Sequence, residues 1–548
     1  MSGSKRFRRL AVVPAVGSVV ALVIQSLTGS ASAKPSPGAA GLTPGNLVYS
    51  SSIFQNGPAI VPGVTQLPPG CAPANCVTAT ADGNYPEVFD NALTDGSFGV
   101  TSPVYLNEMT TSGSPLGSFE VPNGGIDQNQ GMVTSFSSKS ELALNLSTNG
   151  QYLTFMGYNA PVDGVDVSNS NTPGVIDPTN PVPSAYYRVV AALGENGGYT
   201  FTETNAYSGN NGRAAILNDS NGADNYFAAG NAGNGANPQP LGVIEGAGAQ
   251  WITPTAVPES AQNPVTPTAV GSFSVTQLGD KADKVGKDDN FRGLAVYNNV
   301  VYYTKGSGGN GVDTVYFIDT TGKACPTTGV GVPQPGAAFP TGPLALPSPA
   351  VVAKSGLPNN MCILAGFPIN LAKTATMFPF GIWFANPSTV YVTDEGSGSL
   401  GYSQQGNTYV SATAAVQPDA GLEKWSFNSS SGTWDLDYTL QDGLDLGRPY
   451  HVAGYPTSTN PATGLPWSPA TDGLRNLTGR VNANGTVTIW AISSTVSGSG
   501  DQGADPNKIF TITDSLAATT PPHGEHFSTV VTANNGEVLR GISFTPGS

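Results

Sequence analysis

Histidine is nearly absent: His451, His523 and His526 are the three in 548 residues. The side chain that most often does acid–base work near neutral pH therefore has few places to stand. Charge is scarce too, since only 11 % of the chain is Asp, Glu, Lys or Arg, with 22 basic residues against 37 acidic. Phosphate binding needs concentrated positive charge, so no nucleic-acid partner is expected, and an anionic membrane surface is disfavoured for the same reason. There is no GxSxG nucleophile elbow, Walker A loop, HExxH or Rossmann fingerprint placed after a strand. No metal or cofactor is expected. Helix signals are missing as well: no dozen residues keep apolar positions at i, i+3, i+4 and i+7 without Gly or Pro intervening. After Leu27 no segment is apolar for long enough to span a bilayer.

What is present begins with an export signal. Lys5-Arg6-Phe7-Arg8-Arg9 precedes an apolar stretch from Leu10 to Leu27, and Ala31-Ser32-Ala33 closes it. A basic head, an apolar middle and an Ala-x-Ala end make a secretory signal peptide. Arg8-Arg9 faintly resembles a twin-arginine signal, but a plain basic head is the simpler reading. The expected organisation is a signal peptide over 1–33, a flexible segment over 34–45 and one domain over 46–548. The mature protein is expected to be a secreted, extracellular monomer, or periplasmic where the source has an outer membrane. Export permits disulfides. Cys71 and Cys76 are close enough to staple one loop, and Cys325 and Cys362 bracket a Pro/Gly-rich excursion, so the pairings 71–76 and 325–362 are expected over the other two connectivities.

Short alternating runs bounded by Gly, Asn, Asp and Pro recur along the chain, which is the strand-and-turn signature. The clearest unit is Leu294–Tyr297, a turn at Asn298-Asn299, Val300–Thr304, a Gly-rich turn, and Thr314–Asp319. This is a β-meander, the unit of a propeller blade. Opening strands stand near residues 142, 213, 293, 381, 476 and 541, giving six blades with room for a missed seventh. The last of them, Arg540–Phe544, has no blade after it. At the other end, strands at 46–49, 104–108 and 116–121 have no opening strand before them. Joining the two termini into one blade explains both gaps and removes exposed sheet edges. The expected fold is therefore an all-β propeller of antiparallel meanders, closed by pairing of the N- and C-terminal strands. Tandem β-sandwiches share the strand signal but do not explain the divided blade.

Arg540-Gly541-Ile542-Ser543-Phe544 and Phe291-Arg292-Gly293-Leu294-Ala295-Val296 resemble a phrase in a group of uncharacterised secreted bacterial propeller-like proteins. Gly421–Phe427 followed by Thr433-Trp434 is similar to the same group. The resemblance implies a propeller fold and no particular chemistry.

Arginine opens four of the six blades, at Arg213, Arg292, Arg475 and Arg540, where the other two carry Glu141 and Phe380. Opening strands line a propeller's central channel. Four guanidinium groups there would grip a carboxylate, sulfate or phosphate; alternatively each ties its blade to a carboxylate or carbonyl of the next. Arg448, Tyr450 and His451, beside Asp442 and Asp445, hold the parts of an acid–base site. His523-Gly524-Glu525-His526 offers zinc-type ligands and Asp280, Asp283, Asp288 and Asp289 calcium-type ones, yet neither matches an established spacing. The expected role is extracellular binding of a glycan, another anionic ligand or a partner, or a scaffold. The alternative is a polysaccharide lyase or hydrolase acting on an anionic glycan.

Overall fold

The structure is a computed structural model, and it describes residues 41–54, 60–79, 99–123, 131–138, 141–231, 248–254, 268–281, 288–325, 327–345, 358–399, 402–405, 408–411, 419–460, 464–499 and 503–548. The expected signal peptide, residues 34–40 of the segment 34–45, and Asp283 lie outside these residues. Every described strand belongs to the unit Pro35–Ser548.

Six antiparallel sheets stand around a ring as a six-bladed β-propeller. Blade one is the divided one. Its inner strand is Glu537–Phe544, followed outward by Leu47–Ile53, Val104–Met109 and Pro115–Glu120. Leu47 faces Phe544, Val48 faces Ser543 and Ile53 faces Glu537. Blades two, three, five and six open with inner strands Asn145–Leu146, Gly212–Asn218, Pro379–Asn386 and Ala470–Val481. Blade four opens with Leu294–Tyr297, whose hairpin turn holds Asn298 and Asn299 at φ 48° and 62°. Two successive left-handed residues make the turn whose twist matches a two-stranded hairpin, and Asn tolerates that region. The blade's fourth strand, Met361–Leu364, returns only after a long excursion and also takes up Val330–Gly331 in parallel. Cys325 and Cys362 are disulfide-bonded across this excursion, and Cys71 pairs with Cys76 inside the hairpin Gln66–Leu67/Val77–Thr78. Among the described residues no helix is long and apolar enough to cross a membrane.

A repeated device joins the blades near the axis. One hydroxyl on a blade's second strand donates to a backbone carbonyl on the next blade's opening segment. Ser50 donates to Leu142 O at 2.8 Å, Thr154 to Ala215 O at 2.5 Å, Thr304 to Phe380 O and Thr393 to Arg475 O. In blades one, four and five the same hydroxyl accepts from the N–H of a glycine, Gly541, Gly293 or Gly381, at 2.7–2.8 Å. The glycine is required by proximity. A Cβ on Gly541 would lie 2.2 Å from Leu142 O, and one on Gly293 would lie 2.1 Å from Phe380 O. The glycines that follow Arg540, Arg292 and Phe380 therefore mark close backbone approach. Gly541→Ala is expected to cost about 1–3 kcal/mol by forcing the two inner strands apart; urea titration of the full chain reads it.

Several carboxyl groups are buried with the sheets. Burial pushes Asp394 up to about 7 and Asp505 up to about 6, and it pushes Glu423 well above its ordinary value. Each binds its proton more tightly folded than unfolded. Between about pH 4 and 7 the folded protein therefore holds more protons, and its stability falls as pH rises through that window. Unfolding free energy at pH 5 is expected to exceed that at pH 8, and Asp394→Asn should flatten the slope.

Candidate functional site

The arginines at the blade openings are buried, each 4–5 % exposed. Arg292 of blade four and Arg475 of blade six converge on one carboxylate from the blade between them. Arg292 Nη1 lies 3.3 Å from Glu395 Oε1, and Arg475 Nε donates to Glu395 Oε2 at 3.1 Å. Phe380, at the matching position of blade five, sits between the two guanidinium groups, with their Cζ atoms 5.6 and 5.9 Å from its ring centre. Arg213 donates to Phe291 O at 2.8 Å and to Asn290 Oδ1, both at the start of blade four. Arg540 donates to Phe136 O and, at 2.8 Å, to Gly503 O. Burial, with Arg292 close by, pulls Arg213 down to about 9. Glu141 completes the set: its Oε2 accepts from Thr134 Oγ1 at 2.7 Å and from Ser135 N at 3.0 Å, and its Oε1 accepts from Tyr158. The four arginines thus tie neighbouring blades together, and with little solvent around them each charge leans on fixed protein partners.

The loop 448–451 is arranged differently. Tyr450 donates its hydroxyl to Pro506 O at 2.7 Å, and Lys508 Nζ stands 3.8 Å from its ring centre. Burial lowers the Lys508 pKa against the opposing pull of Asp445. Arg448 and His451 are exposed. The structure thus groups Tyr450 with Lys508 and Asp445.

His523 and His526 are exposed, and Glu525 is pushed up to about 7 by burial and by neighbouring Asp514. Asp288 and Asp289 accept from Val275 N at 3.1 Å and Phe273 N at 3.0 Å, so they cap a turn of the chain. Among the described residues no three His, Cys, Asp or Glu side chains gather as a metal-holding group.

Sequence reasoning missed a cleft of about 360 Å³ between blades four and five. Its walls are Tyr297 and Tyr302 from blade four and Phe384, Phe427 and Trp434 from blade five, and its lid is the segment 332–337. The rings brace one another. Tyr297 stacks on Phe384 at 4.7 Å with the planes 8° apart, Tyr302 meets Phe384 at 4.6 Å, and Phe427 meets Trp434 at 5.6 Å. Within the lid Ala337 N donates to Gln334 O at 3.0 Å, and the Cys325–Cys362 disulfide ties the chain just before the lid to blade four's fourth strand. The two blades are joined there by Trp434 N donating to Ala365 O at 2.8 Å. The volume falls within the range of small-molecule sites, which also favour aromatic linings. In sequence these rings read as ordinary strand residues; only the Cys-bracketed Pro/Gly excursion marked the place.

No protein-family model matches the chain, and no curated protein matches it in sequence. Among solved structures, the chain is similar to a polysaccharide lyase of an ulvan-lyase family bound to -[GlcA(1-4)Rha3S]-, at 12 % identity over 84 % of this chain and 93 % of that one, with a TM-score of 0.29. It is similar to NanB in complex with Optactamide, at 7 % identity over 81 % of this chain and 64 % of that one, with a TM-score of 0.31. It also has a likeness to a Synechocystis apocarotenoid oxygenase mutant, at 8 % identity over 81 % of this chain and 59 % of that one, with a TM-score of 0.19. At these scores the likenesses carry no argument about chemistry.

Proposed function

We propose that this chain acts outside the cell as a non-catalytic binding ring, and that its ligand or partner docks at the rim cleft between blades four and five. The observation that carries the reading is the cleft itself: five mutually braced aromatic rings under a disulfide-anchored lid. A preformed site of this kind keeps the ordering cost of binding low. The axis supports the same reading, because Arg292 and Arg475 are engaged by Glu395, and Arg213 and Arg540 by backbone carbonyls. A propeller serves such a role as a rigid frame for variable loops.

A second reading, a lyase or hydrolase acting on an anionic glycan, draws on the 448–451 loop, where Lys508 over the Tyr450 ring stands near exposed Arg448 and His451. One experiment separates the two. The full chain is incubated with insoluble extracellular polysaccharides and with a protein extract of the cell surface. Retention is measured by sedimentation, and soluble products by mass spectrometry. Retention without product, weakened by Phe427→Ala, is the expected result. Product release that disappears in Tyr450→Phe or His451→Ala would overturn the binding reading in favour of the enzyme.

A further inference from the structure

We propose that the occupant of the cleft between blades four and five is an uncharged sugar unit of an extracellular glycan. The inference rests on the reading of the chain as a binding ring and names the chemistry of its ligand.

Charge is the first argument. The chain carries a net charge of −15, yet none of the fourteen described residues lining the cleft is charged. A uronate or sulfated unit placed there would lose its hydration and meet no counter-charge, which is costly.

Unused hydrogen-bonding groups are the second. Tyr302 is 5 % exposed and Trp434 is 6 % exposed. Neither the Tyr302 hydroxyl nor the Trp434 indole N–H has a hydrogen-bond partner among the described residues. Neither atom is fully enclosed, so both are open to solvent at the cleft and available to a ligand. A purely apolar ligand would leave both unpaired. The exposed Asn298 amide stands on the same wall.

Shape is the third. A pyranose offers flat C–H faces to aromatic rings, and around its edge it offers hydroxyls that both donate and accept. The cleft presents the complement: ring walls from Tyr297 and Phe427, which are half-buried, with the Tyr302 hydroxyl and Trp434 N–H as unpaired tips. A proline-rich peptide also docks between aromatic rings. The sugar is favoured because the lid already supplies Pro333 and Pro335 beside those rings.

The test uses two substitutions in the full chain: Tyr302→Phe, which keeps the ring and removes the hydroxyl, and Trp434→Phe, which removes the indole N–H together with one of the two fused rings. Tyr302→Phe removes only a hydroxyl and should leave the unfolding midpoint unchanged, whereas Trp434→Phe also vacates volume in the apolar cluster and should lower it, so its binding is measured at a temperature where it is fully folded. The probes are cello-, xylo- and manno-oligosaccharides, with oligogalacturonate and a proline-rich decapeptide as comparators, all measured by calorimetry. At least one uncharged oligosaccharide is expected to bind and oligogalacturonate is not. Each substitution should weaken that binding roughly tenfold, as the loss of one hydrogen bond implies. Failure of every uncharged probe, stronger binding of oligogalacturonate, or wild-type affinity in both variants overturns the proposal. Tight binding of the decapeptide alone, weakened by Phe427→Ala, overturns the sugar while leaving the binding ring standing. Absence of any ligand at the cleft, together with product release in the polymer assay, removes both.

Discussion

Glu395→Ala is expected to destabilise the ring by about 3–5 kcal/mol, because it removes the carboxylate that two buried guanidinium groups both face. Arg292 and Arg475 come from blades on either side of Glu395, and all three side chains are 3–5 % exposed. Water cannot replace the lost carboxylate without opening the blade contacts. The triple change Arg292→Met, Glu395→Leu and Arg475→Met should recover most of the loss, since a buried ion cluster replaced by apolar side chains of similar volume is often neutral. Urea titration of the three forms reads both effects. A single variant as stable as the parent would show that Glu395 does not hold the two blades. A triple variant as unstable as the single one would show that the cluster contributes more than mutual neutralisation.

Ending the chain at Asn535 should have a still larger effect: no cooperative unfolding transition at all. The deletion removes Glu537–Phe544, the inner strand of blade one, and leaves Leu47–Ile53 with an unpaired edge. It also orphans groups in blade six. Asn507 Nδ2 donates to Leu539 O at 2.9 Å while its Oδ1 accepts from Leu539 N at 2.8 Å, and Asn476 Oδ1 accepts from Ile542 N at 2.9 Å. Buried Leu47, Leu539 and Ile542 pack in one apolar cluster with Trp490 of blade six. Losing that strand opens the ring on both sides, so the remaining blades expose edges that template aggregation. Loss of near-ultraviolet ellipticity with dye binding at all temperatures is the expected signature. A sharp transition near that of the full chain would mean the ring does not depend on its closure.

The divided blade was legible in the sequence because it leaves a countable trace. A terminal Arg-Gly-Ile-Ser-Phe strand lacks followers, and the strands near residues 47, 104 and 116 lack an opener. The two cysteine pairings were legible for a similar reason, since few connectivities exist and both loops are bounded. The fourth strand of blade four was not, because some forty residues separate Met361–Leu364 from Thr314–Ile318. Partners of the arginines were hidden by sequence distance. Glu395 lies 80 residues from Arg475, and Phe291 lies 78 from Arg213. The hydroxyl ties are likewise invisible: Thr304 and Thr393 look like any strand threonine until the neighbouring carbonyl is in place. The rim cleft is hardest to read, because its walls belong to two blades and its rings alternate with core residues of the same composition.

Closure of the ring is tested most directly by a cysteine pair at Ile53 and Glu537, which face each other at the accessible end of the terminal strand pairing. The parent has no free cysteine among its described residues to compete. Facing residues on antiparallel strands have Cα separations of roughly 4.5–5.5 Å, within reach of a disulfide. The account predicts that Ile53→Cys/Glu537→Cys forms an intrachain bond on mild oxidation of the folded protein, and that this bond raises the unfolding midpoint. Two thiols that stay free in the folded chain, or that cross-link only between chains, would contradict it.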